Sequence, residues 1–78
     1  MATSEHLTDV LRQRYERAKR REVVLAIHLF GIEFADELAG HPVNEIAENA
    51  TGHRSYGAEI RKGMRLAPHV SLSECGGG

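Results

Sequence analysis

At 78 residues the chain holds one small domain, too short for two separately folded cores or for an active-site cleft between domains. Ten Lys and Arg against eleven Asp and Glu leave a formal charge of -1, which excludes a uniformly basic coat protein and an acidic disordered tail alike. A hydrophobic fraction of 41% with two Tyr, two Phe and no Trp requires a core that is mostly aliphatic.

Residues 1–3 are expected to be a disordered start and 4–73 a single helical domain. Leu7, Val10, Leu11, Tyr15 and Ala18 recur at spacings of three and four, which predicts an amphipathic helix from about Ser4 to Arg20. Ser4 is the expected N-cap, and Lys19, Arg20 and Arg21 suit the negative end of the helix dipole. A second helix is expected from Glu22 to Ala39, stopped by Gly40 and Pro42. Its apolar residues, from Val23 to Leu38, wrap nearly all round. Such a helix must be central, buried under its neighbours or against another subunit.

A third helix is expected over Val43–Ala50, a turn at Thr51-Gly52, and a fourth helix over Arg54–Gly63. Residues 66–73 read equally as a helical turn opened by Pro68 or as an extended arm. The glycine-rich end, 74–78, has nothing to bury and is expected to be a flexible tail. No segment alternates over a strand length, so the fold class is all-α, a small domain of four to five helices.

Charge is unevenly distributed. Between Arg12 and Arg21 six basic residues accompany one acid, whereas from Glu22 to Ile60 seven acids face the single base Arg54. Arg61, Lys62 and Arg65 then restore positive charge. Attraction to a polyanion depends on local potential, because screening acts over about 8–10 Å. A neutral total therefore leaves room for two basic surfaces.

Two short helices joined by a turn of about four residues, the second opening with small polar and basic residues, have helix-turn-helix geometry over about 43–63. The run from Ile46 to Gly63 resembles the helix-turn-helix of the lambda-repressor-like (XRE) regulators without a gap. Ile46, Ala47, Ala50, Arg54, Ser55, Tyr56, Ile60 and Gly63 fall on the family's pattern. Departures are a turn glycine one residue late (Gly52), Gly57 in place of a β-branched core residue, and Val43 in place of a frequent Gln. The helix 4–20 lies outside the minimal family domain.

The resemblance implies a sequence-specific DNA-binding regulator, a repressor acting as a dimer on double-stranded DNA. Helical projection places Gly57, Ile60 and Met64 inward, opposite Ser55, Ala58, Glu59 and Lys62. Ser55, Ala58, Glu59 and Lys62, with Arg54 flanking them, then face the base edges, Arg61 and Arg65 suit phosphates, and Tyr56 completes the expected DNA-binding residues. Arg17, Lys19, Arg20 and Arg21 are candidates for additional phosphate contacts. The dimer is expected through the 22–39 helix or the N-terminal helix. The alternative is a helical protein-interaction module, an antitoxin or adaptor, in which the 22–39 helix carries function and the basic helix meets an acidic partner.

No enzyme is expected, because the single cysteine, Cys75, sits in a tail that cannot preorganise a nucleophile. His28, His41, His53 and His69 are 12 to 16 residues apart, so no metal site is expected, and no cofactor either. A lone cysteine also excludes an internal disulfide and fits a cytoplasmic protein of bacterial or phage type. The longest apolar run, Val23–Ile32, is too short to span a bilayer, and no secretory leader pattern opens the chain.

Overall fold

The computed structural model describes residues 3–70, and the glycine-rich end assigned above to a tail lies outside them. Among the described residues the chain is all-α, without a strand: α1 (Ser4–Arg17), α2 (Val23–Glu33), the single turn α3 (Ala35–Leu38), α4 (Val43–Thr51) and α5 (Tyr56–Leu66). One 3-10 turn (Arg20–Glu22) leads into α2 and another (Ala67–His69) follows α5.

The cap of α1 is Thr3 rather than Ser4. Thr3 Oγ1 accepts from the His6 amide at 3.1 Å, so residue 3 belongs to the helical domain. Ser4 Oγ is engaged elsewhere, sharing a hydrogen bond of 2.7 Å with His41 Nδ1. The helix also stops earlier than expected, at Arg17, with Ala18 extended. Arg17 would meet Arg20 and Arg21 one turn on if the helix continued, and such like-charge pairs are unfavourable. Lys19, Arg20 and Arg21 therefore form an exposed connector.

The expected 22–39 helix is bent. Phe34 leaves helical geometry (φ -109°, ψ 23°), although its amide still donates to the Phe30 carbonyl at 2.9 Å. The bend stacks the Phe34 ring 5.1 Å from that of Phe30 and turns α3 so that Leu38 is buried. The apolar arc of this segment is mostly covered within the chain: Ile27, Phe30 and Leu38 join Leu7, Leu11, Val43, Ile46, Ala47, Ala50 and Ile60 in one core. Val24 (44% exposed) and Leu25 (54%) are left outside. Gly40 and Gly52, both left-handed (φ 84° and 81°), end α3 and α4 as glycine C-caps do.

Helices α2 and α5 approach closely enough for backbone to meet backbone. A methyl group on Gly31 would collide with the Ile60 carbonyl oxygen and lie 3.1 Å from Gly63 Cα, while one on Gly63 would meet the His28 carbonyl. Neither site has room for a side chain, so the two backbones cross in direct contact.

Candidate nucleic-acid interface

The α4–α5 pair forms around small residues. Ala47 and Ala50 on α4 are buried against Ile46 and Ile60, and α4 runs to Thr51 before the left-handed Gly52 turns the chain. Thr51 fastens this turn: its hydroxyl donates to the Ala47 carbonyl at 2.8 Å and accepts from the His53 amide at 3.0 Å. Amides 56–58 then donate to the carbonyls of His53, Arg54 and Ser55, three residues back. Arg54 and Ser55 accordingly lie in a tight entry turn, and the regular helix begins at Tyr56 instead of Arg54. The turn glycine that resembled a one-residue displacement is the residue with positive φ.

Gly57 has a different role from the one its place in the pattern implied. It stands where the pattern has a β-branched core residue, but a methyl there would strike Asn44 Oδ1 and stand 3.0 Å from Asn44 Cα. Asn44 fills the β-branched position from the facing helix, and its Oδ1 accepts a 2.9 Å hydrogen bond from Arg61 Nη1. A glycine inside a helical pattern does signal close backbone approach. The partner it admits was not legible in the pattern.

Of the expected site residues, Arg54, Ser55, Ala58, Arg61, Lys62 and Arg65 are exposed, whereas Gly57, Ile60 and Gly63 are buried. Two others turn inward. The Tyr56 ring packs 6.1 Å from Tyr15 and 5.6 Å from His53, so it serves the core edge. Glu59, placed outward by projection, instead accepts from His28 Nε2 at 2.6 Å and has Lys62 Nζ at 3.6 Å. The His28 hydrogen bond, and after it the charge of Lys62, hold the Glu59 carboxyl below the usual carboxylate range. Arg54 is partnered as well, by Glu48 at 3.2 Å, while Arg65 makes no ion pair among the described residues.

The first basic cluster divides in two. Arg12 binds Asp9 at 2.7 Å and the Asn49 carbonyl at 3.3 Å, tying α1 to α4. Arg14 forms a two-pronged pair with Glu33, both bonds 2.7 Å, and its guanidinium covers Phe34 at 5.3 Å. Arg17, Lys19, Arg20 and Arg21 are exposed and unpaired among the described residues. Because Tyr15 touches Tyr56, the carboxyl end of α1 and the connector after it lie beside the start of α5. The free cations of the first cluster thus follow the end of α1 that packs at the start of α5, with Arg61, Lys62 and Arg65 farther along α5. Glu45 and Glu48 leave the outer face of α4 acidic.

No helix among the described residues is long and apolar enough to cross a membrane. A family model described as an HTH-like domain matches residues 3–73. No curated protein and no solved structure matches the chain.

Proposed function

We propose that this chain, which belongs to the family of HTH-like domains, binds double-stranded DNA as a transcriptional regulator, with α5 in the major groove. The observation that carries this reading is the division of α5 into a face locked to α2 and α4 (Gly57, Ile60, Gly63) and a face open to solvent (Ala58, Arg61, Lys62, Arg65). A helix held on one side with basic residues on the other has the form needed to follow a groove. Arg54 and Ser55, at the entry, are assigned to base edges with Lys62, whereas Arg61 and Arg65 are assigned to phosphates. Arg17, Lys19, Arg20 and Arg21 extend the phosphate contacts past the entry turn. Tyr56 and Glu59 act by holding the helix.

The closer assignment to the lambda-repressor-like type is part of the same proposal. It is supported by the joint burial of Ile46, Ala47, Ala50 and Ile60 and by the left-handed Gly52. Repression by occlusion of a site is the mechanism we assign. A dimer would match palindromic half-sites about one helical turn apart. We assign the dimer contact to apolar residues left exposed, Val24 (44%) on the 22–39 segment or Leu66 (46%) and Val70 (44%) after the α5 core.

Selection of bound sequences from random duplex DNA at low salt tests the reading. Enrichment of a common site is expected. No retention of duplex by the full chain at low salt would overturn it.

A further inference from the structure

Beside the connector that this reading assigns to phosphates lies an apolar groove that it leaves unused. Where α1 and α2 meet near the connector, an open groove is walled on the α2 side by Leu25, Ala26 and Leu29 and on the α1 side by Ala18 and Arg17, with Glu22 at its mouth. Leu25, more than half exposed, and Leu29 stand one helical turn apart and form an apolar ridge. Arg17 lines the groove, and between its lining residues Ala18 and Glu22 the chain carries Lys19, Arg20 and Arg21, which line an adjoining hollow with Glu22; all four cations are without ion-pair partners among the described residues. Arg14 adds nothing to this potential, since Glu33 neutralises it.

We infer that this groove docks an acidic amphipathic helix of another protein, its leucine-type side chains seated beside Leu25 and Leu29 and its carboxylates facing Arg17 and the 19–21 connector. A furrow between two helices, with a ridge of one-turn period, accepts the ridge of a third helix. The surrounding potential selects acidic flanks and disfavours basic ones.

A second copy of this chain is a poor occupant. Twofold contact here would bring two sets of Arg17, Lys19, Arg20 and Arg21 together. The chain's own acidic helical segments have no anchors to offer: Leu38, beside Asp36 and Glu37, is fully buried, as is Ile46, beside Glu45. The inference goes beyond the DNA reading and does not rest on it.

The test is a titration of the isotopically labelled full chain, without DNA, by a synthetic amidated peptide of about four helical turns. The peptide carries Leu at positions i and i+4 and Glu on both flanks, and is matched by versions with Gln or Lys in place of Glu. Saturable amide shifts at Ala18, Leu25, Ala26 and Leu29 are expected with the Glu peptide. The Gln peptide should bind about tenfold more weakly, and the Lys peptide weaker still. Arg17→Glu with Lys19→Glu, and separately Leu25→Ser, should each weaken binding about tenfold while leaving the circular dichroism spectrum and Tm unchanged, since these side chains are exposed. Absence of saturable shifts, equal binding of the Glu and Gln peptides, or shifts centred on α5 would overturn the inference. So would a dimer in sedimentation that Leu25→Ser converts to monomer, or binding of anionic phosphatidylglycerol vesicles without peptide binding.

Discussion

His28 Nε2 stands 2.6 Å from Glu59 Oε1, and this bond joins α2 to α5 one turn before their glycine crossing. It takes the carboxylate away from the outward face, where a glutamate would accept from cytosine. Glu59→Gln is therefore expected to lower the melting temperature and to leave the selected base sequence the same. A changed base preference with unchanged thermal stability would return Glu59 to the reading surface.

Acid should weaken the fold through two carboxylates. Glu33 is held below the usual range by its Arg14 hydrogen bonds, and Glu59 by the His28 hydrogen bond. Lowered folded values mean that their stabilisation is complete above the unfolded carboxyl range, near about pH 4.3, and is lost as pH falls through the folded values. Melting temperatures should drop between about pH 5 and pH 3. The drop should be shallower in Glu33→Gln, and the partly exposed Arg14–Glu33 pair should contribute less in strong salt. Superimposable pH profiles for wild type and Glu33→Gln contradict this.

Arg54→Ala and Arg65→Ala each remove one charge but from different places. Loss of Arg54, in the entry turn, should cost about 1–3 kcal/mol at one base position and relax preference there. Loss of Arg65, a residue of the last turn of α5, should weaken all sequences alike and reduce the salt slope by roughly one unit. Equal losses without any change in preference would show that α5 is not the reading helix. Since Glu48 occupies Arg54, Glu48→Gln should raise affinity for duplex.

Replacing Arg17, Lys19, Arg20 and Arg21 by Gln tests the connector in the same binding assay. If each cation neutralises one phosphate, the dependence of log affinity on log salt should flatten by up to about 3–4 units. An unchanged slope would remove the connector from the DNA surface.

Much of the architecture was readable from periodicity, and the exceptions have local causes. Helix number, the α4–α5 motif and the stops at Gly40 and Gly52 follow from apolar spacing and glycine conformations that a short pattern records. The early end of α1 depends on repulsion among Arg17, Arg20 and Arg21, which apolar spacing ignores. The bend at Phe34 depends on Phe30, Arg14 and the need to bury Leu38, contacts that no local rule contains. For the site, projection sorted Ala58 and Lys62 outward and Ile60 inward correctly. It failed for Glu59 because a flexible side chain followed His28, 31 residues away in sequence.

The Gly31–Gly63 crossing separates what can vary in this molecule from what cannot. Adding a methyl to either glycine should cost about 1–3 kcal/mol of overpacking, more than the roughly 1 kcal/mol gained in helix propensity, and chemical denaturation of Gly31→Ala and Gly63→Ala measures the difference. The solvent-facing positions 58, 61 and 62 on the same helix touch none of that contact. A mount fixed by backbone contact, carrying exposed side chains whose only ties are surface polar ones (Arg61 to Asn44, Lys62 to Glu59), is a scaffold for retargeting. Libraries randomised at those three positions should yield altered recognition without loss of folding, whereas a library that admits side chains at 31 or 63 should lose stability in step with side-chain size.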